Sequence, residues 1–134
     1  MTIDEEHALM RAPSVAVHTR GRRTGHPHRV VVWFVYRNGS AFFLAHAGSH
    51  GRGTDWYRNL IAAGEADIEA GGTRFRGRPV TFPAPERAVA NVVEMFENKY
   101  GCGAIESWYQ PGARIAVCIR LADLEPEGQS ASAN

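Results

Sequence analysis

Acidic side chains are missing from one long stretch of this 134-residue chain: between Glu6 and Asp55 there are none. Lysine is nearly missing altogether, Lys99 standing beside fourteen arginines. The two cysteines, Cys102 and Cys118, lack the paired spacing of a metal site. With no export signal, they are expected to be free thiols in a reducing cytoplasm. No apolar run approaches the roughly 18 residues of a membrane span, so stable membrane insertion is not expected. The opening, Met1 to Met10, is polar and acidic, unlike a secretory signal. No GxSxG, HExxH, P-loop or GxGxxG pattern occurs, and Ser49 and Ser107 have no evident triad partners. Carboxylates are too sparse in the basic stretch for a glycosidase pair. His46 and His50 flank a loop, and His18, His26 and His28 straddle a turn, so no metal site is expected.

What the acid-free stretch does hold is arginine: Arg11, Arg20, Arg22, Arg23, Arg29, Arg37 and Arg52. The whole chain carries a formal charge of only +1, so the positive charge is segregated. Its centre is Thr19-Arg-Gly-Arg-Arg-Thr-Gly-His-Pro-His-Arg29. Guanidinium forks among glycines suit a bound phosphate or carboxylate. A solvated hairpin is the competing reading of the same residues. Nucleic acid is not expected as a partner, because the pI of 7.9 falls short of the ~9 typical of such domains. The aromatics Trp33, Phe34, Phe42 and Phe43 are also claimed by strands that must build the core.

The chain reads as one domain, 1–134, with an N-terminal helix or arm over 1–12 and a frayed polar tail over 125–134. Leu9 and Met10 are expected to face inward from the short first helix. Strands are expected over 14–19, 28–37, 42–44, 66–70, 73–82 and 113–121. Asn38-Gly39 is a two-residue hairpin signal, since both positions favour positive φ. A helix over 56–63 is capped by Thr54 or Asp55 and stopped by Gly64. Over 86–99, Val89, Val92, Val93 and Phe96 recur at helical spacing. Arg74, Arg76 and Arg78 alternate on a solvated strand face, with Phe75 inward. The tally is mainly β with α (α+β): six antiparallel strands in a barrel with flanking helices.

A second donor-rich segment, Gly48 to Asn59, runs from a glycine-rich loop into a helix start. Free N–H groups and the positive dipole end suit an anion there. Trp56 can wall a ring and Asn59 can donate and accept. For Leu60 and one of Trp56 and Tyr57, simple anchoring to the core is the better reading.

Three blocks then resemble a known family. They are Val15 to Arg29, Trp33-Phe-Val-Tyr before Asn38-Gly39, and Asp55-Trp-Tyr-Arg-Asn-Leu60. In order and spacing they are similar to the deazaflavin-dependent nitroreductases, also called F420H2-dependent quinone reductases. The resemblance covers about 14–80, and Lys99-Tyr100-Gly101 with Trp108 are similar to one branch. It implies a flavin-reductase-like split β-barrel with coenzyme F420 laid across it. It implies Arg22, Arg23 and Thr24 on the cofactor's phosphate tail, and His28, Arg29, Val30 and Trp33 along it. Ala45, His46 and Ala47 would lie beside the ring system, and Asp55, Trp56, Tyr57, Arg58 and Asn59 at the helix start. Two positions depart from the family pattern: Ala47 replaces a basic residue, and His28 replaces an arginine, with Arg29 expected on the opposite strand face.

The function implied is an oxidoreductase passing a hydride from reduced F420 to a small-molecule acceptor, a quinone, activated alkene or nitro compound. The proton would come from His46, Tyr109 or water. The alternatives are an FMN-binding reductase of the same barrel and a non-catalytic member holding a cofactor or lipid. A homodimer fits the architecture.

Overall fold

The computed structural model describes residues 1–48, 51–103, 105 and 113–121. The expected tail over 125–134 and the candidate proton donor Tyr109 lie outside them. Ten elements follow in order: α1 (Ile3–Arg11), β1 (Val15–Arg20), β2 (Pro27–Val32), β3 (Val35–Arg37), β4 (Ser40–His46), α2 (Asp55–Ala63), β5 (Ala66–Ala70), β6 (Thr73–Val80), α3 (Pro85–Tyr100) and β7 (Arg114–Leu121). All seven strands join one sheet in the order β2-β1-β5-β6-β7-β4-β3, and every pairing is antiparallel.

The strand expected over 28–37 is two strands, and the break makes the architecture. Trp33 and Phe34 separate β2 from β3, yet these two lie at opposite edges of the sheet. Val32 and Val35 are three residues apart, which spans at most about 10 Å. The sheet's outer edges must therefore come together, and the only way is for the sheet to curl. A curled sheet whose edges meet without a ladder between them is a split barrel.

Inside the curl sit Val15, Val17, Phe34, Phe43, Ile68, Phe75 and Ile119, all buried, with Leu9 and Leu60 covering from α1 and α2. Gly77 of β6 is pressed against β7: a Cβ there would lie 2.4 Å from Ile119 Cγ2. A second apolar layer lies outside the sheet, where Val92 and Phe96 of α3 pack on Val35 and Leu44. The expected helical spacing is the face that does this. Asn38 and Gly39 take φ of 49° and 83°, the double positive-φ turn expected of them.

Local differences have local causes. Helix α1 is held by a capping box between Thr2 and Glu5, and buries Leu9. Met10, expected inward, is 57% exposed, because one position further round the helix leaves the narrow contact stripe. Thr54 occupies the N-cap position of α2 but its hydroxyl makes no capping bond, and Asp55 is already the first helical residue. Arg74 and Arg76 lie on the exposed face of β6 as expected, each 3.2 Å from a carboxylate oxygen of Asp67.

Candidate functional site

The β1–β2 connection is a tight, self-bonded turn. Gly21 N–H donates to the His26 carbonyl at 2.8 Å, and Gly25 N–H donates to the Gly21 carbonyl at 2.8 Å. Arg20 folds its guanidinium onto the Gly25 carbonyl at 2.8 Å, and the Thr24 hydroxyl accepts from His26 N–H at 3.2 Å. Gly21 is required for space. A Cβ there would stand 2.9 Å from both His28 Nε2 and Thr24 Oγ1, so any side chain would push the imidazole off the turn.

Arg22 leaves the turn and reaches α2. Its Nη1 donates to Asn59 Oδ1 at 2.8 Å, and its own N–H donates to the same oxygen at 3.2 Å. Nη2 lies 3.2 Å from Asp55 Oδ1. Asn59 is 2% exposed, so these bonds satisfy a buried carbonyl oxygen. The Asp55 pair matters less, because that carboxylate is 84% exposed and screened by water. Arg22 is thus the brace that fixes the turn against the helix start. Arg23, its neighbour, is exposed and makes no hydrogen bond or ion pair among the described residues.

Turn and helix enclose a cleft of about 350 Å³, lined by Val17, Thr19, His28, Arg29, Val30, Thr54, Asp55, Trp56 and Asn59. Its sheet wall follows from register. Val17 pairs with Val30 and Thr19 with His28, so these four share a face. Arg29 pairs with His18 and belongs to the other face, as the alternation requires, though it too is among the residues lining the cleft. On that other face His18 Nε2 lies 2.7 Å from Glu69 Oε1, and this bond holds the Glu69 carboxyl below its usual range. Trp56 walls the cleft and meets Phe43 edge to face, ring centres 5.7 Å apart. Tyr57 leans on the inner core beneath Gly53, and Arg58 is half-buried outside the cleft.

Two polar groups in the cleft were not singled out as ligand contacts from sequence. Thr19 is 8% exposed, and its hydroxyl has no partner among the described residues. The Thr54 hydroxyl is buried and unpartnered in the same way. Thr19 carried a signal: it takes the inward phase of Val15 and Val17, where alternation asks for an apolar residue. Thr54 carried none beyond its false promise as a cap.

The remaining expected residues fall into two groups. Ala45 and His46 end β4 and Ala47 follows it, and the His46 and Ala47 carbonyls accept from Thr54 and Gly53 N–H at 3.1 and 2.6 Å. They therefore abut the helix-start end of the cleft. Trp33 is not brought to it. It packs in the outer layer, stacked on Tyr100 with ring centres 4.2 Å apart and planes 11° from parallel. There the Tyr100 hydroxyl accepts from Phe34 N–H at 3.1 Å. Lys99 Nζ donates to the Ala12 and Phe34 carbonyls at 2.7 and 2.8 Å. Among the described residues no cluster of His, Cys, Asp or Glu could hold a metal. No helix among them is long and apolar enough to cross a membrane.

The model of one protein family, described as F420H(2)-dependent quinone reductase, matches residues 2–103. The chain belongs to that family. The F420H2-dependent reductases use coenzyme F420, and so does this member. Its fold is that of solved split-barrel proteins. A structure described as an F420 reductase is 17% identical, with a TM-score of 0.60 over 88% of this chain and 93% of that one. A second, an F420-H2 dependent reductase, is 18% identical, with a TM-score of 0.60 over 81% and 94%. An FAD-binding protein from Mesorhizobium loti is 12% identical, with a TM-score of 0.65 over 92% and 91%. No curated protein matches the sequence. The cleft's donor set fits such a cofactor: apolar walls, two hydroxyls unpartnered among the described residues, and Arg29 and His28 in the lining.

Proposed function

We propose that this reductase binds F420 along the cleft between the β1–β2 turn and α2, and reduces a quinone, activated alkene or nitro compound. The observation that carries the proposal is the Arg22 brace. By tying the turn to Asn59, a residue of the cleft lining, it fixes the turn that carries the uncommitted Arg23. Arg23 and His28 are the residues for the anionic tail, with Thr24 structuring their turn. Val17, Val30 and Trp56 are the walls for the ring, and exclude water from it. When bound, reduced F420 supplies the hydride. His46, at the cleft's helix-start end, is the described candidate for holding the accompanying proton, beside Tyr109. The free thiols Cys102 and Cys118 support a cytoplasmic setting.

Fluorescence titration with F420 and with FMN, followed by menadione reduction with reduced F420, tests the reading. F420 should bind and FMN should not compete at equal concentration. Arg23→Ala should weaken F420 binding, the loss being greatest at low ionic strength and shrinking as salt is added. It should leave the melting temperature unchanged. Arg22→Ala should instead destabilise the fold by about 1 kcal/mol, because Asn59 Oδ1 loses the guanidinium donor and keeps only the backbone N–H of residue 22. An Arg23→Ala protein with unaltered F420 affinity counts against the tail assignment.

A further inference from the structure

We propose that Thr19 and Thr54 read a neutral hydrogen-bond acceptor, a ring carbonyl oxygen, on the ligand's flat heteroaromatic portion. The inference rests on the cofactor reading above and names contacts within it. Both residues line the same cleft, and both hydroxyls are buried without a protein partner among the described residues. A buried hydroxyl normally finds a partner, since leaving it unmade costs stability. Two such groups in one cleft, from elements distant in sequence, point to a shared outside partner. Thr19 comes from the sheet wall, opposite His28 in the register. Thr54 comes from the helix wall, its N–H fixed on the His46 carbonyl.

The chemistry of the partner follows from the surroundings. Val17, Val30 and Trp56 make the walls apolar, so a full charge at this depth would be expensive to desolvate. Thr54 precedes the first turn of α2, whose N–H groups and positive dipole end favour an acceptor over a donor. Two hydroxyl donors in one apolar-walled cleft, one of them at a positive helix end, select a carbonyl oxygen in a planar ring. Among the described residues neither hydroxyl serves the free protein: that of Thr54 does not cap its helix, and that of Thr19 has no partner.

That gives a signature with two opposite signs. Thr19→Val and Thr54→Val keep the branched shape and remove only the hydroxyl. Each should raise the melting temperature of the ligand-free protein, on the order of 4 °C, by relieving an unsatisfied group. Each should also weaken F420 binding, by about tenfold, because the ring carbonyl loses a donor. Thr19→Ser restores the hydroxyl and should restore the affinity. The titration uses F420 itself, with the wild-type protein alongside. If wild type binds F420 and Thr19→Val binds it equally well, this inference falls and the cofactor reading stands. If Thr19→Val lowers the melting temperature, the hydroxyl has a structural partner and the inference also falls. If wild type binds neither F420 nor FMN, both readings fall together.

Discussion

Lys99 shows how one side chain can couple the ends of a fold. Its ammonium lies between the Ala12 and Phe34 carbonyls and 4.0 Å from the centre of the Phe34 ring. Half-burial lowers its pKa from the usual 10.5 to about 8. The neutral amine keeps two N–H groups, so deprotonation can retain both carbonyl bonds while ending the desolvation penalty. A lysine with a lowered folded pKa favours folding as it deprotonates. Its contribution is therefore lowest below pH 8, rises from about 8 to 10.5, and is flat above. Denaturant unfolding of wild type and Lys99→Met at pH 7.5, 9 and 10 should show wild type gaining on the variant across that window. At the low end the variant should already be less stable, by about 1–2 kcal/mol from lost hydrogen bonds. A difference independent of pH would exclude a lowered pKa. Arg22 teaches the same lesson about legibility. Sequence marks it as a cation in a glycine turn, yet its partner Asn59 is 37 residues away. Local pattern cannot separate a ligand-binding arginine from a bracing one, and here Arg22 braces while Arg23 is left over.

At the scale of elements, periodicity and turn chemistry carried most of the information. The α3 face, the Asn38-Gly39 hairpin and the alternation in β6 were all legible, because each is set by neighbours in sequence. The break between β2 and β3 was not. Val30 to Tyr36 is uniformly β-favouring, and only the closure of the sheet puts Trp33 and Phe34 across a corner. Contacts between strands fix other positions as tightly. Gly77 has no room for a side chain against Ile119, Leu121 and the Arg120 carbonyl. Gly77→Ala should therefore destabilise by about 1–3 kcal/mol, the usual cost of overpacking, read as a lower melting temperature. Gly71→Ala has open space around the added methyl and should not clash, though its φ of 59° carries strain of its own. A melting temperature for Gly77→Ala above that of Gly71→Ala would show the β6–β7 contact to be looser than described.

For the whole molecule, the sheet's two edges make a measurable distinction. Among the described residues β2 pairs only with β1, and Val31 is 55% exposed on it. Amides of β2 that point away from β1 should exchange with solvent quickly, while β1, β5 and β7 are protected on both sides. Protection of β2 that grows with protein concentration would instead reveal pairing between copies, and sedimentation over the same range would report the homodimer. The family blocks read from sequence lie within 14–80, whereas the curl also depends on β7, which lies outside that span.

The last of the seven described strands lies inside the sheet and not at its edge. β7 lies between β6 and β4, and it alone joins the four-stranded part to the β4–β3 hairpin. While the polypeptide is being synthesised, neither part can complete its ladder until residues 114–121 leave the ribosome. Until then β4 and β6 both present bare edges, which invite association with other nascent chains. Assembly is thus deferred until β7 has been synthesised, and a truncation before Arg114 should yield aggregates, not a smaller folded enzyme.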